Sequence, residues 1–338
     1  MQKGGSNVKK ITSLAFAVIL FQGTAYAAEE YVIPSGMSVG IKLYTDGLTV
    51  AGVEKLTDKS GQIRSPAAEA GICMGDIIYS ANGVGLSTIE QLYEEVNKSR
   101  DGVSLEIRRG NENLSIKAKP VVMSDDVSRL GIWVKDSTAG IGTLTYINPE
   151  SSTYAALGHG ILDNDTGSIL TVKSGNIQKC TDLTIKKSKR GEPGEIDAVF
   201  NGEELGVIGI NSIAGVYGKL NDNNQCNRGT HVKTAEINEV HEGRAYIMTD
   251  AAGGEVQYYE AEILKLKPES KDTKGMVFKV TDSRLMELSG GIVRGMSGAP
   301  IIQDDKLIGA VTHVFVNDPS KGYGIFVWNM LDMEEKLK

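Results

Sequence analysis

Gly295-Met296-Ser297-Gly298-Ala299-Pro300 sets a serine between glycines on a tight turn that runs directly into an apolar stretch, Ile301-Ile302. A turn over Gln303–Lys306 follows, then Leu307-Ile308-Gly309-Ala310-Val311-Thr312, and later Gly322-Tyr323-Gly324-Ile325-Phe326-Val327. This reads as a turn feeding a strand hairpin and a further glycine-containing strand. A serine hydroxyl is a weak nucleophile that needs an adjacent base, and a carbonyl under attack needs donors for its oxygen. Glycines beside the serine let backbone N–H groups face a substrate without side chains in the way. Ser297 is therefore the candidate nucleophile, with the N–H groups of Gly295 and Ser297 as the candidate oxyanion hole. The base is expected at His159, one of four histidines, set in the glycine-rich Leu157-Gly158-His159-Gly160-Ile161.

From Gly131 onward the pattern is short strands punctuated by glycine. Gly131–Val134, Gly142–Ile147, Gly167–Val172, Val207–Ile210, Ala245–Met248 and Met276–Val280 are expected strands. Their spacing argues for an all-β sandwich or barrel over βαβ units. The nucleophile turn, its hairpin and the later glycine strand resemble the second barrel of trypsin-like peptidases. That resemblance implies a mainly β catalytic domain, a double β-barrel, over residues 131–338. Ala299, where glycine is usual, is a conservative departure.

Residues 31–120 have a different organisation. Gly40–Tyr44 and Leu48–Val53 read as neighbouring strands across the turn Thr45-Asp46-Gly47. A short helix from Ser65 ends at Gly71, a strand covers Ile77–Ala81, and Ser87 can cap a helix carrying Ile89, Leu92 and Val96 at helical spacing. Pro66-Ala67-x-x-Ala70-Gly71-Ile72-x-x-Gly75-Asp76-Ile77-Ile78-x-x-x-Asn82-Gly83 resembles bacterial PDZ domains. A small α/β PDZ domain implies capture of an extended peptide as an added strand, with loop N–H groups receiving a carboxylate. By that resemblance the peptide-binding loop and strand are Ser38, Val39, Gly40 and Ile41, which replace the usual Gly-Leu-Gly-Phe. Residues 121–130, with Ser124-Asp125-Asp126, read as the linker between the domains.

Residues 1–28 read as an export signal, either cleaved or retained as a membrane anchor. Lys3, Lys9 and Lys10 precede an apolar run from Ile11 to Phe21, and Ala25-Tyr26-Ala27 fits signal-peptidase recognition. The net charge of −7 gives no reason to expect nucleic acid. The basic run Lys186–Arg190 precedes Gly191-Glu192-Pro193-Gly194 and reads as a solvated hairpin. Three cysteines are too few for a disulfide scaffold, although Cys180 and Cys226 could pair in an exporting compartment. No metal-ligand spacing occurs, and neither metal nor cofactor is expected.

Taken together, the export segment, the PDZ-like stretch, Ala156–Ile161, Gly291-Ile292-Val293-x-Gly295-Met296-Ser297-Gly298 and Leu307–Pro319 resemble the stage IV B sporulation peptidases of endospore-forming bacteria. The resemblance implies a serine endopeptidase acting between the two membranes around the forespore. It also implies self-cleavage and cutting of a membrane-associated regulatory protein. That protein restrains a membrane metallopeptidase, which then processes a sigma-factor precursor.

The matching motif puts the third catalytic member at Asp282, which would hold the His159 tautomer and stabilise its imidazolium. Asp163, Asp165 and Asp197 are rivals, and Asp282 could instead cap the helix-like stretch Ser283–Leu288. His313 is open to three roles: alternative base, pocket lining, or partner of a neighbouring loop. His231 and His241 read as surface residues. No aspartate near Thr312–Phe315 or Gly322–Gly324 is placed to demand Arg or Lys, which favours a small or apolar substrate side chain.

Overall fold

The computed structural model describes residues 30–163, 167–200, 203–221 and 229–337. The expected export segment at 1–28, Asp165 and Cys226 lie outside these. Among the described residues no helix is long and apolar enough to cross a membrane.

The chain enters through strand β1 (Tyr31–Pro34) and then a long strand, β2 (Ser38–Val53). The first half of β2 buries Val39, Ile41 and Leu43 in a core with Leu144, Ile177 and Val216. Its second half turns Leu48 and Val50 into another core, with Ile78, Leu92 and Leu105. The expected turn at Thr45–Gly47 is thus a bulge within one strand. Tyr44 faces Ser137 and Thr49 faces Lys135 across it.

Beyond the bulge lies the PDZ unit: helix α1 (Pro66–Ala70), β3 (Ile77–Ala81), helix α2 (Ile89–Lys98), β4 (Val103–Arg109) and β5 (Glu112–Ala118). Gly71 ends α1 in the left-handed conformation, as a C-cap glycine does. Thr88 caps α2 with Gln91 in a capping box, one residue later than the Ser87 expected. Asp76, fully buried, is paired with the guanidinium of Arg109 at 2.7 Å and tied to the Cys73 N–H, which closes the base of the unit.

Strand β6 (Ile132–Asn148) carries the chain back. Two strands expected separately, at 131–134 and 142–147, are therefore one, paired with β2 from Ile132↔Val53 to Thr143↔Ser38. The PDZ unit is an insertion at the tip of this ribbon, not a domain in front of the peptidase. Residues 31–44, assigned to the PDZ domain from sequence, are barrel strands. Residues 121–130 are no linker. Val121–Val122 pair with Ser128–Arg129, Ser128 N–H donates to Asn97 Oδ1 on α2, and Leu130 is buried in the PDZ core.

The first barrel continues through β7 (Thr153–Ala156), β8 (Val172–Lys179), β9 (Glu195–Val199, outside the barrel), β10 (Glu204–Ser212) and β11 (Gly215–Leu220). Pairing runs β2–β8–β10–β11–β7–β6 and back to β2, a closed six-stranded barrel without free edges. Of the strand expected at 167–172, Ile169 forms an isolated bridge with Leu162 and Val172 opens β8.

The second barrel uses β12 (Gly243–Thr249), β13 (Gln257–Leu266), β14 (Met276–Val280), helix α3 (Ser283–Ser289), β15 (Pro300–Gln303), β16 (Lys306–Val314) and β17 (Lys321–Phe326). It too closes, β12–β13–β14–β17–β16–β15–β12, around Ile247, Phe278, Ile301 and Phe326. Helix α4 (Val327–Glu334) packs back on the first barrel. There the buried Glu334 accepts hydrogen bonds from Tyr146 Oη at 2.9 Å and Asn148 Nδ2 at 3.0 Å. The mainly β, double-barrel class expected from sequence is the class observed.

Candidate active site

The nucleophile turn begins where α3 ends, at the left-handed Gly290, and closes against both barrels. Gly295 and Gly298 have φ of +97° and +96°, a region side-chain-bearing residues rarely adopt. A Cβ on Gly298 would lie 2.1 Å from the Thr143 carbonyl oxygen, so glycine is required there on two counts. The Gly298 N–H donates to Val311 O at 2.7 Å and the Val311 N–H to Ala299 O at 2.9 Å, fastening the turn to β16. Ser297 Oγ donates to the Thr312 carbonyl at 2.9 Å. Among the described residues the N–H groups of Gly295 and Ser297 donate to no partner. They are the two groups expected from sequence as oxyanion donors.

His159 sits just past β7, where Leu157 and Gly158 both take positive φ, +70° and +66°. A left-handed leucine is strained backbone of the kind that gathers at functional sites. It is held by its N–H on Thr143 O at 3.2 Å. Asn211 fixes the chain beyond, accepting from Ile161 N–H and donating to the carbonyls of Ile161 and Leu170. His159 Nδ1 lies 3.0 Å from the Gly160 carbonyl. A proton on Nδ1 satisfies that oxygen and leaves the Nε2 lone pair free, the tautomer a general base needs. Burial pushes the imidazole below its ordinary pKa, so it stays neutral.

His159 and Ser297 meet the same stretch of β16. The rings of His159 and His313 are 5.1 Å apart, centre to centre. A Cβ on Gly158 would touch Thr312 Cγ2 at 3.1 Å. His313 is held down to about 4, first by burial and then by the neighbouring His159, and its Nδ1 is buried without a partner. Of the three roles open to His313 from sequence, none is decided by this contact; the structure places its ring beside that of His159.

Asp282 is a correction. It is the N-cap of α3: Oδ1 accepts from the Arg284 N–H at 2.9 Å, and Oδ2 from Arg284 Nη2 at 2.8 Å and the Glu260 N–H at 3.2 Å. The Arg284 hydrogen bond brings its pKa down to about 2. Both oxygens are thus engaged away from His159, whose Nδ1 lies against a backbone carbonyl instead. Among the rivals, Asp163 faces the cleft described below and Asp197 is exposed on β9. His231 and His241 are exposed, the latter 2.8 Å from Asp304.

The expected PDZ loop is a second correction. Ser38 is fully buried with its N–H and hydroxyl both on Asp250, and Val39 and Ile41 lie in the first-barrel core. No peptide can reach them. The apolar groove beside α2 is walled instead by Leu92, Tyr93 and Val96 on one side and Leu130, Ile132 and Trp133 on the other, and holds about 410 Å³. Leu130-Gly131-Ile132-Trp133, with Gly131 at φ +69°, is the closer match to a Gly-Leu-Gly-Phe loop, and it follows the PDZ core in sequence. A larger cleft of about 610 Å³ separates the PDZ unit from the first barrel, between Arg108 and Asn113 on one side and Asp163 and Ile169 on the other. Among the described residues no group of three or more His, Cys, Asp or Glu side chains is arranged to hold a metal ion.

A family model described as SpoIVB peptidase S55 matches residues 126–331. The chain belongs to that family. A PDZ-domain model matches residues 57–109. The S55 match contains His159, Thr143 and Ser297 but starts after β2, so it omits the strand that the first barrel takes from before the insertion. The chain is 26% identical over 182 residues to a probable periplasmic serine endoprotease, DegP-like, of Bartonella henselae, covering 47% of this chain. The match spans about a third of that relative's length, 32%. Among solved structures, the Rv3671c protease of M. tuberculosis in its active form is similar at 14% identity, with 59% of this chain and 74% of that one covered and a TM-score of 0.33. The PDZ domain of an SdrC-like protein from Listeria monocytogenes is similar at 21% identity, with 27% and 90% covered and a TM-score of 0.23. This S55 chain carries a PDZ domain together with its peptidase-family domain.

Proposed function

We propose that the chain is an exported endopeptidase in which Ser297 attacks the scissile carbonyl, His159 takes its proton, and the Gly295 and Ser297 N–H groups receive the oxyanion. The observation that carries this reading is the turn at 295–298. It presents two unpaired N–H groups beside a hydroxyl, and the neutral His159 is set against the same strand. Rotation of the hydroxyl from Thr312 O toward His159 Nε2 would start the reaction, and the imidazolium would then protonate the leaving amine. With a backbone carbonyl rather than a carboxylate at Nδ1, the site works as a serine–histidine dyad in this conformation.

Family membership supports a physiological reading as well. The S55 match, the PDZ unit and the DegP-like relative support a signalling peptidase outside the cytoplasm during sporulation. Its substrates are a membrane-associated regulatory protein and a second copy of itself, and the groove between α2 and Leu130–Trp133 docks an extended apolar segment of one of them. Intact mass of the purified chain followed over time, wild type beside Ser297→Ala, tests the chemistry. Fragments in wild type alone support it; equal fragmentation in both removes Ser297 from the mechanism. Co-expression with candidate regulatory proteins of the sporulation membranes tests the substrate, which must be cut only when Ser297 is present.

A further inference from the structure

Thr143, on β6, is fully buried; two of its polar groups hydrogen-bond the nucleophile turn and a third the turn that carries His159. Its N–H donates to Ser297 O at 2.8 Å. Its hydroxyl donates to Gly295 O at 2.8 Å. Its carbonyl accepts from Leu157 N–H, at the turn that carries His159, and sits where a Cβ on Gly298 would collide.

The two carbonyls that Thr143 holds belong to the peptide planes on either side of the Ser297 N–H. The Gly295–Met296 plane is fixed at its other end by Met296 N–H on Val293 O, at 3.2 Å. This plane joins the two peptides that carry the donor N–H groups, Arg294–Gly295 and Met296–Ser297, and the conformational freedom of Gly295 lets it turn, which would take the two N–H groups out of convergence. A backbone N–H alone, which any residue at 143 supplies, holds only the Ser297 side. The hydroxyl holds the other.

The geometry points to Thr143 as a positioning residue that keeps the oxyanion hole formed by locking the Gly295–Met296 peptide through its side-chain hydroxyl. It touches no substrate atom and acts only through the turn. The assignment rests on reading Ser297 as nucleophile and Gly295 and Ser297 as oxyanion donors. Nothing in the local sequence Gly142-Thr143-Leu144 marks this role, since the partners are brought together only by barrel closure.

Valine has threonine's shape without the donor, and serine keeps the donor. The full chain is compared as wild type, Thr143→Val, Thr143→Ser and Ser297→Ala, with a fluorogenic peptide spanning the self-cleavage site and with a serine-directed phosphonate whose labelling counts only competent sites. The expected result is a fall in kcat of about 10- to 100-fold for valine, below the loss for a direct oxyanion donor. KM stays within about threefold, labelling slows in parallel, and serine restores both. Valine with wild-type kcat and labelling rate overturns the assignment, as does a loss that serine does not rescue. Should valine prevent folding, Thr143→Cys, similar in size with a weak donor, takes its place in the comparison with serine. Cleavage that persists in Ser297→Ala refutes the nucleophile reading itself; an inactive Ser297→Ala beside an unimpaired Thr143→Val refutes the Thr143 assignment alone.

Discussion

The Ser297 hydroxyl donates to the carbonyl of Thr312 at 2.9 Å, and the next residue on that strand, His313, holds its ring 5.1 Å from that of His159. The resting bond is a part-buried one whose net worth is about 1 kcal/mol. Ser297→Ala is therefore expected to unfold within a few degrees of wild type by calorimetry. Its peptidase activity falls by at least about 10⁴-fold, since nothing else at the turn replaces the nucleophile.

The two neighbouring imidazoles give the protein an acid sensitivity of known sign. Both are held neutral below their ordinary value of about 6.5, His159 by burial and His313, at about 4, by burial and then His159, with Lys274 also pushing it down and Asp272 opposing. The unfolded chain binds protons that the folded chain refuses, so the stability due to these rings is complete above pH 6.5 and falls as pH drops through about 4. Urea unfolding from pH 7 to 4 should show this slope, and His313→Gln should flatten it. The acid limb of kcat/KM should fall below pH 6.5, because only neutral His159 accepts the serine proton.

Asp282 acts through the fold of α3 in this structure. Replacing an N-cap by alanine costs about 1 kcal/mol. Asp282→Ala should lose stability, and activity in step with it, while Asp282→Asn, which still accepts from Arg284, recovers most of both. An asparagine variant that is fully folded yet slower by about 10⁴-fold would return Asp282 to the catalytic group.

Gly298→Ala tests the closeness of the two barrels at the nucleophile. The positive φ alone costs about 1–3 kcal/mol for a residue with a side chain. The added methyl also meets the Thr143 oxygen at 2.1 Å, backbone that cannot move aside. Expected are a protein that unfolds well below wild type in a thermal melt and no phosphonate labelling.

Trp133 lines the PDZ groove and is 62% exposed, so it reports on what enters. The chain has two tryptophans, and Trp328→Phe leaves Trp133 as the sole indole. Adding an extended apolar peptide should shift its emission to the blue, and Tyr93→Ala, on the opposite wall, should weaken the binding. An unchanged spectrum at saturating peptide would place docking elsewhere.

What the amino-acid sequence determined by itself was local. The glycines around Ser297 and His159 mark backbone that side-chain-bearing residues rarely adopt, and the Pro66–Gly83 run marks a helix cap, a buried strand and a tight turn, so both fold types were legible from short windows. Which strands pair was not. The alternation Val39, Ile41, Leu43 says that one face is buried but not in which barrel or domain, because a two-residue period fixes a side chain's face and not its partner strand. For that reason Ser38–Ile41 read as a peptide-binding edge when they are barrel core, Leu130 read as the end of a linker and Gly131–Val134 as a catalytic-domain strand when Leu130–Trp133 wall the groove, and Asp282 read as the partner of His159 when its carboxylate faces Arg284 and Glu260. The insertion of the PDZ unit between β2 and β6, and the two hydrogen bonds of Thr143 with a turn more than a hundred residues away, were decided by tertiary closure alone, since hydrogen bonds between distant strands leave no periodic trace in either segment.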